Sequence, residues 1–185
     1  FSEIEIIYFP SKSLEYYDIE AESLEIRNQR LYAINKILKN EKNIIVTTID
    51  SFLTKMYPKE KYNTKDFKLK VGDNIDFEKL VETLVSFGFE RSNTVEGKGQ
   101  FSVRGGIIDI FLIDNELPFR IEFFGDEIDN IRTFDVMTQR SIDTVKSINI
   151  SCASEDLITK EEILNVIQKI EEVSNKKEIS KELRD

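Results

Sequence analysis

Apolar residues change their period several times along the chain, and each change predicts an element. Ile4, Ile6, Ile7, Tyr8 and Phe9 crowd a short β-rich run over 4–9, and a loop follows over 10–18. Across 21–40, Leu24, Leu31, Ile34 and Leu38 recur at helical spacing. A strand over 43–48 comes next, then a short helix ending before Pro58, with Asp50 and Ser51 as the expected caps. Strand, helix, strand is the ingredient of a parallel sheet, here an incomplete one. The polar stretch 57–65, with Pro58 and Asn63, marks a boundary.

Beyond it the pattern switches to alternation. Phe67, Leu69 and Val71 interleave with Lys68 and Lys70, which predicts a half-buried strand. Asp76 reads as the N-cap of a helix whose apolar face is Phe77, Leu80, Val81, Leu84 and Val85, and Gly88 sits where a C-terminal glycine belongs. From 89 to 150 strands and tight turns are expected: 100–104, 107–111, 118–124, 127–135 and 141–150. Short connections favour antiparallel pairing, so the second unit reads as one helix against a curled antiparallel sheet. An amphipathic helix over 159–173 (Ile163, Val166, Ile167, Ile170) and a charged end over 176–185 close the chain.

Composition narrows the chemistry. With 185 residues and 40% hydrophobic content a true core can form. The net charge of −9 argues against a broad, non-specific grip on nucleic acid or on an anionic membrane. Seven acids against one base, Lys12, within the first 25 residues read as a solvated acidic face. There is no histidine and one cysteine, Cys152, which excludes Ser–His and Cys–His pairs, disulfides and ordinary zinc sites. No apolar run reaches a membrane span, and Phe1 opens without a leader, so the chain reads as a cytoplasmic piece of a longer protein.

The candidate motifs mostly fail. Asp126-Glu127-Ile128-Asp129 imitates a helicase metal box, but no GxxxxGK[ST] loop exists, and Gly125-Asp126 fits the turn of a type II′ hairpin. Gly97-Lys98-Gly99 lacks the third glycine of a dinucleotide fingerprint, because Ser102 occupies that place. Cys152 has no activating base and reads as a core or boundary residue. Four arginines in the β unit stand out: Arg91, Arg104, Arg120 and Arg132. Alternation puts Phe119, Ile121 and Phe123 on a core face and Arg120, Glu122 and Phe124 on the other. Phe101 and Val103 likewise point inward, Ser102 and Arg104 outward. An arginine, a glutamate and an aromatic ring side by side have the composition of a protein–protein hot spot. The plainer alternative is a set of solvated cross-strand charges with Phe124 covered by a neighbour.

GQFSVRGGIIDIF, continued by LPFRIEFFGDEIDNIRTFDVMTQRS, occupies 99–141. This stretch resembles the N-terminal region of the bacterial transcription-repair coupling factors (Mfd) and is similar to the second domain of the excision-repair protein UvrB. The likeness extends to IIYFPSKSLEYYD near the start and to the helix and strand of 22–48. It implies a partial, degenerate helicase-like α/β domain over 1–63, an inserted α+β domain over 64–151, and a return segment with a helix over 152–185. It further implies recruitment of UvrA by mimicry of the UvrB docking surface, which maps to Arg91, Arg104, Arg120, Glu122, Phe123 and Phe124. The alternation prefers Phe124 to Phe123 as the aromatic anchor unless a bulge intervenes. No catalytic residue, metal or cofactor is expected in this stretch. By resemblance the full-length parent is an ATP-dependent DNA translocase that meets RNA polymerase and DNA through other regions, with no membrane partner. Three departures stand. UvrB has a further arginine where this chain has Ser102, Leu112 replaces a proline common among relatives, and the DNA-inserting hairpin of UvrB has no counterpart. A nucleic-acid-binding module, with Arg91, Arg104 and Arg120 on phosphates, is the alternative.

Overall fold

The computed structural model describes residues 4–12, 24–39, 42–62, 67–155 and 160–182. Residues 1–155 make one compact unit and 156–185 a second, described by itself below. The first unit opens with β1 (Glu5–Phe9) and β2 (Asn43–Thr47), paired in parallel and joined through α1 (Leu24–Leu38). β-branched and aromatic side chains suit both strands. Ile7 and Phe9 on one face of β1, and Leu31, Ala33 and Ile34 on α1, are buried. Ile6 and Tyr8 on β1, and their register partners Ile44 and Val46 on β2, are exposed. The short helix α2 (Ile49–Leu53) is capped by Thr48, whose side chain accepts from the Ser51 amide. Thr48 therefore replaces Asp50 and Ser51 as the cap. Ser51 is instead buried, donating to the Pro10 carbonyl and accepting from Arg30. A 3-10 turn, Lys59–Tyr62, follows. The acids over 13–23, and with them most of the expected loop over 10–18, lie outside the described residues.

In the remainder of this unit, β3 (Phe67–Lys70) precedes α3 (Phe77–Ser86). Asp76 caps α3 by accepting from the Lys79 amide at 3.0 Å, as expected. Gly88 ends it with φ 83°, and a Cβ there would meet Ser154 Cβ at 2.2 Å. The glycine thus serves both the positive φ and the close pass of the returning chain, where the Ala153 amide donates to the Phe87 carbonyl. Six strands then form one sheet in sequence order: β4 (Glu90–Arg91), β5 (Gln100–Arg104), β6 (Ile107–Ile110), β7 (Phe119–Phe124), β8 (Glu127–Phe134) and β9 (Ser141–Thr144). The β4–β5 pair is parallel and the rest antiparallel.

Two expectations are corrected here. The run over 141–150 is not one strand, because Val145 still donates to Ile131 on β8 whereas Lys146 accepts from Val71. The chain changes partner between them, and β10 (Ser147–Ile150) pairs antiparallel with β3 in a separate ladder. With its last segment diverted, the six-stranded sheet stays open rather than strongly curled, with β4 and β9 as its edges.

Leu80 and Leu84 of α3 cover the inner face of the sheet, formed by Phe101, Ile108, Ile110, Phe119, Ile121, Ile128 and Ile131. Leu69, Ile148, Ile150 and Leu31 complete the same core, so α1 packs into it too. Cys152 is buried, its thiol donates to the Tyr62 carbonyl, and burial pushes it up to about 11. The second unit contains α4 (Lys160–Glu182), which runs past the expected end at 173. Among the described residues no helix is long and apolar enough to cross a membrane.

Candidate docking surface

Because β7 alternates, Arg120, Glu122 and Phe124 lie on the sheet face away from α3, and register assembles their neighbours. Arg120 stands opposite Asp109 on one side and Arg132 on the other; Glu122 stands opposite Ile107 and Asn130. Phe124 closes the hairpin against Glu127 across the turn Gly125-Asp126. Gly125 has φ 63° and Asp126 is not in the positive region, as a type II′ turn requires. The acidic box is therefore a hairpin.

The irregularity in this pair falls on β8: Glu122 faces Asn130 but Phe123 faces Ile128, leaving Asp129 as the extra residue. Alternation on β7 survives. Phe123 is half-buried and packs edge-on to Phe77 of α3, with ring centroids 5.1 Å apart. Phe124 is 83% exposed.

The arginines are less available than their strand positions suggest. Asp109 is 1% exposed and holds two of them. Arg120 donates from Nε to Oδ1 at 2.7 Å and from Nη2 to Oδ2 at 2.9 Å, and Arg104 Nη2 donates to the same Oδ2 at 2.5 Å. Arg120 also donates to the Gln139 carbonyl and lies over the Phe134 ring, 4.8 Å from its centroid. Its side chain is only 15% exposed, and the hydrogen bonds to Asp109 push its pKa up further than desolvation pushes it down. The Arg104 side chain, at the turn before Gly105, is 50% exposed. Arg91 is exposed on the edge strand and, with Ser92, Asn93, Val103 and Arg104, lines a shallow depression. Arg132 pairs with Glu122 at 3.4 Å.

Ser102 departs from expectation. It lies on the outer face, opposite Asp109, yet is buried with no protein partner for its hydroxyl. A position so closed has no outlet for an arginine without rearrangement. Nearby, Val95, Phe111 and Phe134 form a second small core on this face, and Gln139 Nε2 donates to the Val95 and Val136 carbonyls.

The structure thus brings Arg104, Arg120, Glu122 and Phe124 onto one face, sets Arg91 beside Arg104, and turns Phe123 toward the core. Sequence reasoning missed Asp109. Its signal was a lone acid in the apolar run Ile107–Phe111, on the face that alternation assigns to Arg120 once the strands pair. Among the described residues no group of three or more His, Cys, Asp or Glu converges as a metal site.

Two comparisons bear on this surface. Residues 67–155 match the family model of the UvrB interaction domain. The chain is 39% identical over 166 residues, 90% of its length, to the transcription-repair-coupling factor of Bacillus subtilis (strain 168). It is 33% identical over 171 residues, 92% of its length, to that of Staphylococcus aureus (strain MRSA252). The aligned residues span only 14% and 15% of those two relatives.

Proposed function

Residues 67–155 belong to the UvrB interaction domain family, within a chain homologous over most of its length to bacterial transcription-repair-coupling factors, and on that premise we propose that the outer sheet face docks onto UvrA. The chain belongs to DNA repair coupled to transcription. In this reading it recruits UvrA by presenting the surface UvrB would present. The mechanism is recognition: Arg104 and Arg91 meet acids on the partner, Glu122 fixes the register of charges, and Phe124 is the desolvated anchor. Arg120 and Phe123 support the face from beneath. The β1–α1–β2 segment, over 1–63, is the remnant of a helicase-like α/β domain, 64–151 the inserted docking domain, and 152–185 a following segment and helix. ATP-driven translocation and the meetings with RNA polymerase and DNA belong to other regions of the parent.

One observation carries this reading: a phenylalanine left exposed at the end of a strand whose same face holds Arg120 and Glu122, with Arg104 two strands away. Had Phe124 been covered, solvated cross-strand charges would have sufficed as the account. The test is calorimetric titration with UvrA from the same organism. Phe124→Ala should weaken binding by roughly 30-fold, the equivalent of a ~2 kcal/mol hot spot. Arg104→Glu should weaken it at least as much, while Val85→Ala, exposed on α3 across the sheet from this face, should bind as wild type. Wild-type binding by both Phe124→Ala and Arg104→Glu sinks the proposal. Tight binding of duplex DNA at physiological salt by the wild type would favour the nucleic-acid reading instead.

A further inference from the structure

Asp109 is a buried carboxylate on the outer face, and the bonds it accepts come from two arginines on the two strands beside it. Arg104 and Arg120 converge on the same Oδ2, which fixes two long side chains that would otherwise sample many rotamers on a surface. Arg120 is further pinned by Gln139 and Phe134, so the carboxylate it shares with Arg104 is held in place. Arg104 donates from one Nη to Asp109 and, half-exposed, turns the rest of its donor fork outward.

We infer that Asp109 is the positioning residue of the docking face: it holds the Arg104 guanidinium in the orientation that receives a carboxylate of the partner. The inference rests on the docking reading and adds a residue that the reading itself does not contain. It has an unusual electrostatic consequence. Removing Asp109's charge makes the face more positive, so attraction alone would tighten binding to an acidic partner. Positioning demands the reverse, because an unheld Arg104 must be ordered at the moment of binding.

The experiment titrates UvrA into the wild-type chain and into Asp109→Asn, Arg104→Ala, the double variant and Arg104→Lys, with circular dichroism melts alongside. Asp109→Asn should bind about ten-fold more weakly, equivalent to ~1.4 kcal/mol. In the Arg104→Ala background the same change should have no further effect, because Asp109 acts through Arg104. A merely structural role would lower affinity equally in both backgrounds. Arg104→Lys keeps the charge at a half-exposed position and should melt as wild type, so it serves even if Asp109→Asn fails to fold. It too should lose about ten-fold, since a point charge cannot replace the planar fork. Wild-type or tighter binding by Asp109→Asn, a loss that adds in full to that of Arg104→Ala, or wild-type binding by Arg104→Lys overturns the inference while leaving the docking face in place. Wild-type binding by Arg104→Ala overturns both.

Discussion

Replacing Arg30 with methionine should destabilise the chain by about 3–5 kcal/mol, because it strands a buried carboxylate. Arg30 is 0% exposed and its donors converge on residues far apart in sequence. Nε and Nη2 reach the two oxygens of Glu155 at 2.7 and 2.9 Å, and Nη1 reaches the Pro10 carbonyl at 2.5 Å and Ser51 Oγ at 2.8 Å. The guanidinium also lies 4.1 Å from the Phe9 ring centroid. One side chain therefore ties the end of β1, α1 and α2 to the segment that follows β10. Methionine fills the volume and keeps the contact with Phe9, but among the described residues Glu155 is left with Lys12, at 3.6 Å and partly exposed. The double variant Arg30→Met/Glu155→Leu removes both charges and leaves only the Pro10 and Ser51 groups to repartner. It should fall about 1–2 kcal/mol below wild type, less than the single change. Urea unfolding of wild type, Arg30→Met, Glu155→Leu and the double variant, followed by circular dichroism, gives all four midpoints and slopes. A loss under about 1 kcal/mol for Arg30→Met, or a double variant that falls by the sum of both single changes, would refute the argument that an unpaired buried charge dominates.

Gly88→Ala should lose at least ~1 kcal/mol in the same assay, since it combines φ 83° with the close approach of Ser154; wild-type stability would show that the returning chain can yield. Cys152 should make stability fall in alkali. Its native thiol ionises near 11 rather than 9.0, so between those values the unfolded state releases a proton that the native state keeps. Stability present below pH 9 is then lost as pH rises toward 11, and Cys152→Ala should show a shallower decline over that window; equal slopes would count against the assignment. The two neighbouring aromatics should separate cleanly in melts. Phe124→Ala should stay within about 0.5 kcal/mol of wild type, whereas Phe123→Ala, which loses its packing on Phe77, should fall by ~1–3 kcal/mol.

Local patterns reached as far as local physics determines structure. The alternation over 119–124 gave the two faces of β7 because Cβ direction on a strand has period two, and the bulge that could have broken it lies on the partner strand. The Asp76 cap and the Gly88 stop were legible for the same reason, each being satisfied within a few residues. What stayed hidden depends on register between distant segments. Nothing in residues 141–150 announces a change of partner, since Val145 and Lys146 are compatible with a continuing strand. The change follows from β3 offering an unpaired edge some 80 residues earlier. Asp109 is the same case: its burial makes sense only once β5 and β7 flank β6 and bring an arginine from each. Arg30 in α1 reads as a solvated helix residue until Glu155 returns to meet it.

The pairing of charges on the outer face bears on which partner it suits. Arg104, Arg120 and Arg132 stand against Asp109 and Glu122, so three guanidiniums and two carboxylates leave a single net positive charge; Arg91 adds one more, and Glu127, the register partner of Phe124, takes it away. Ser102 supplies none and is closed to a longer side chain. A phosphate-binding surface draws its affinity from several cations releasing counterions, and one net charge on a chain of −9 gives it little to work with. A protein partner needs less charge and more geometry: one held guanidinium, one glutamate to reject the wrong register, and an aromatic ring that gains by leaving water. Arg132→Glu would face Glu122 with a like charge and so perturb the same surface. If this face docks as proposed, its affinity hangs on Phe124 and on how firmly Arg104 is held, more than on the number of arginines.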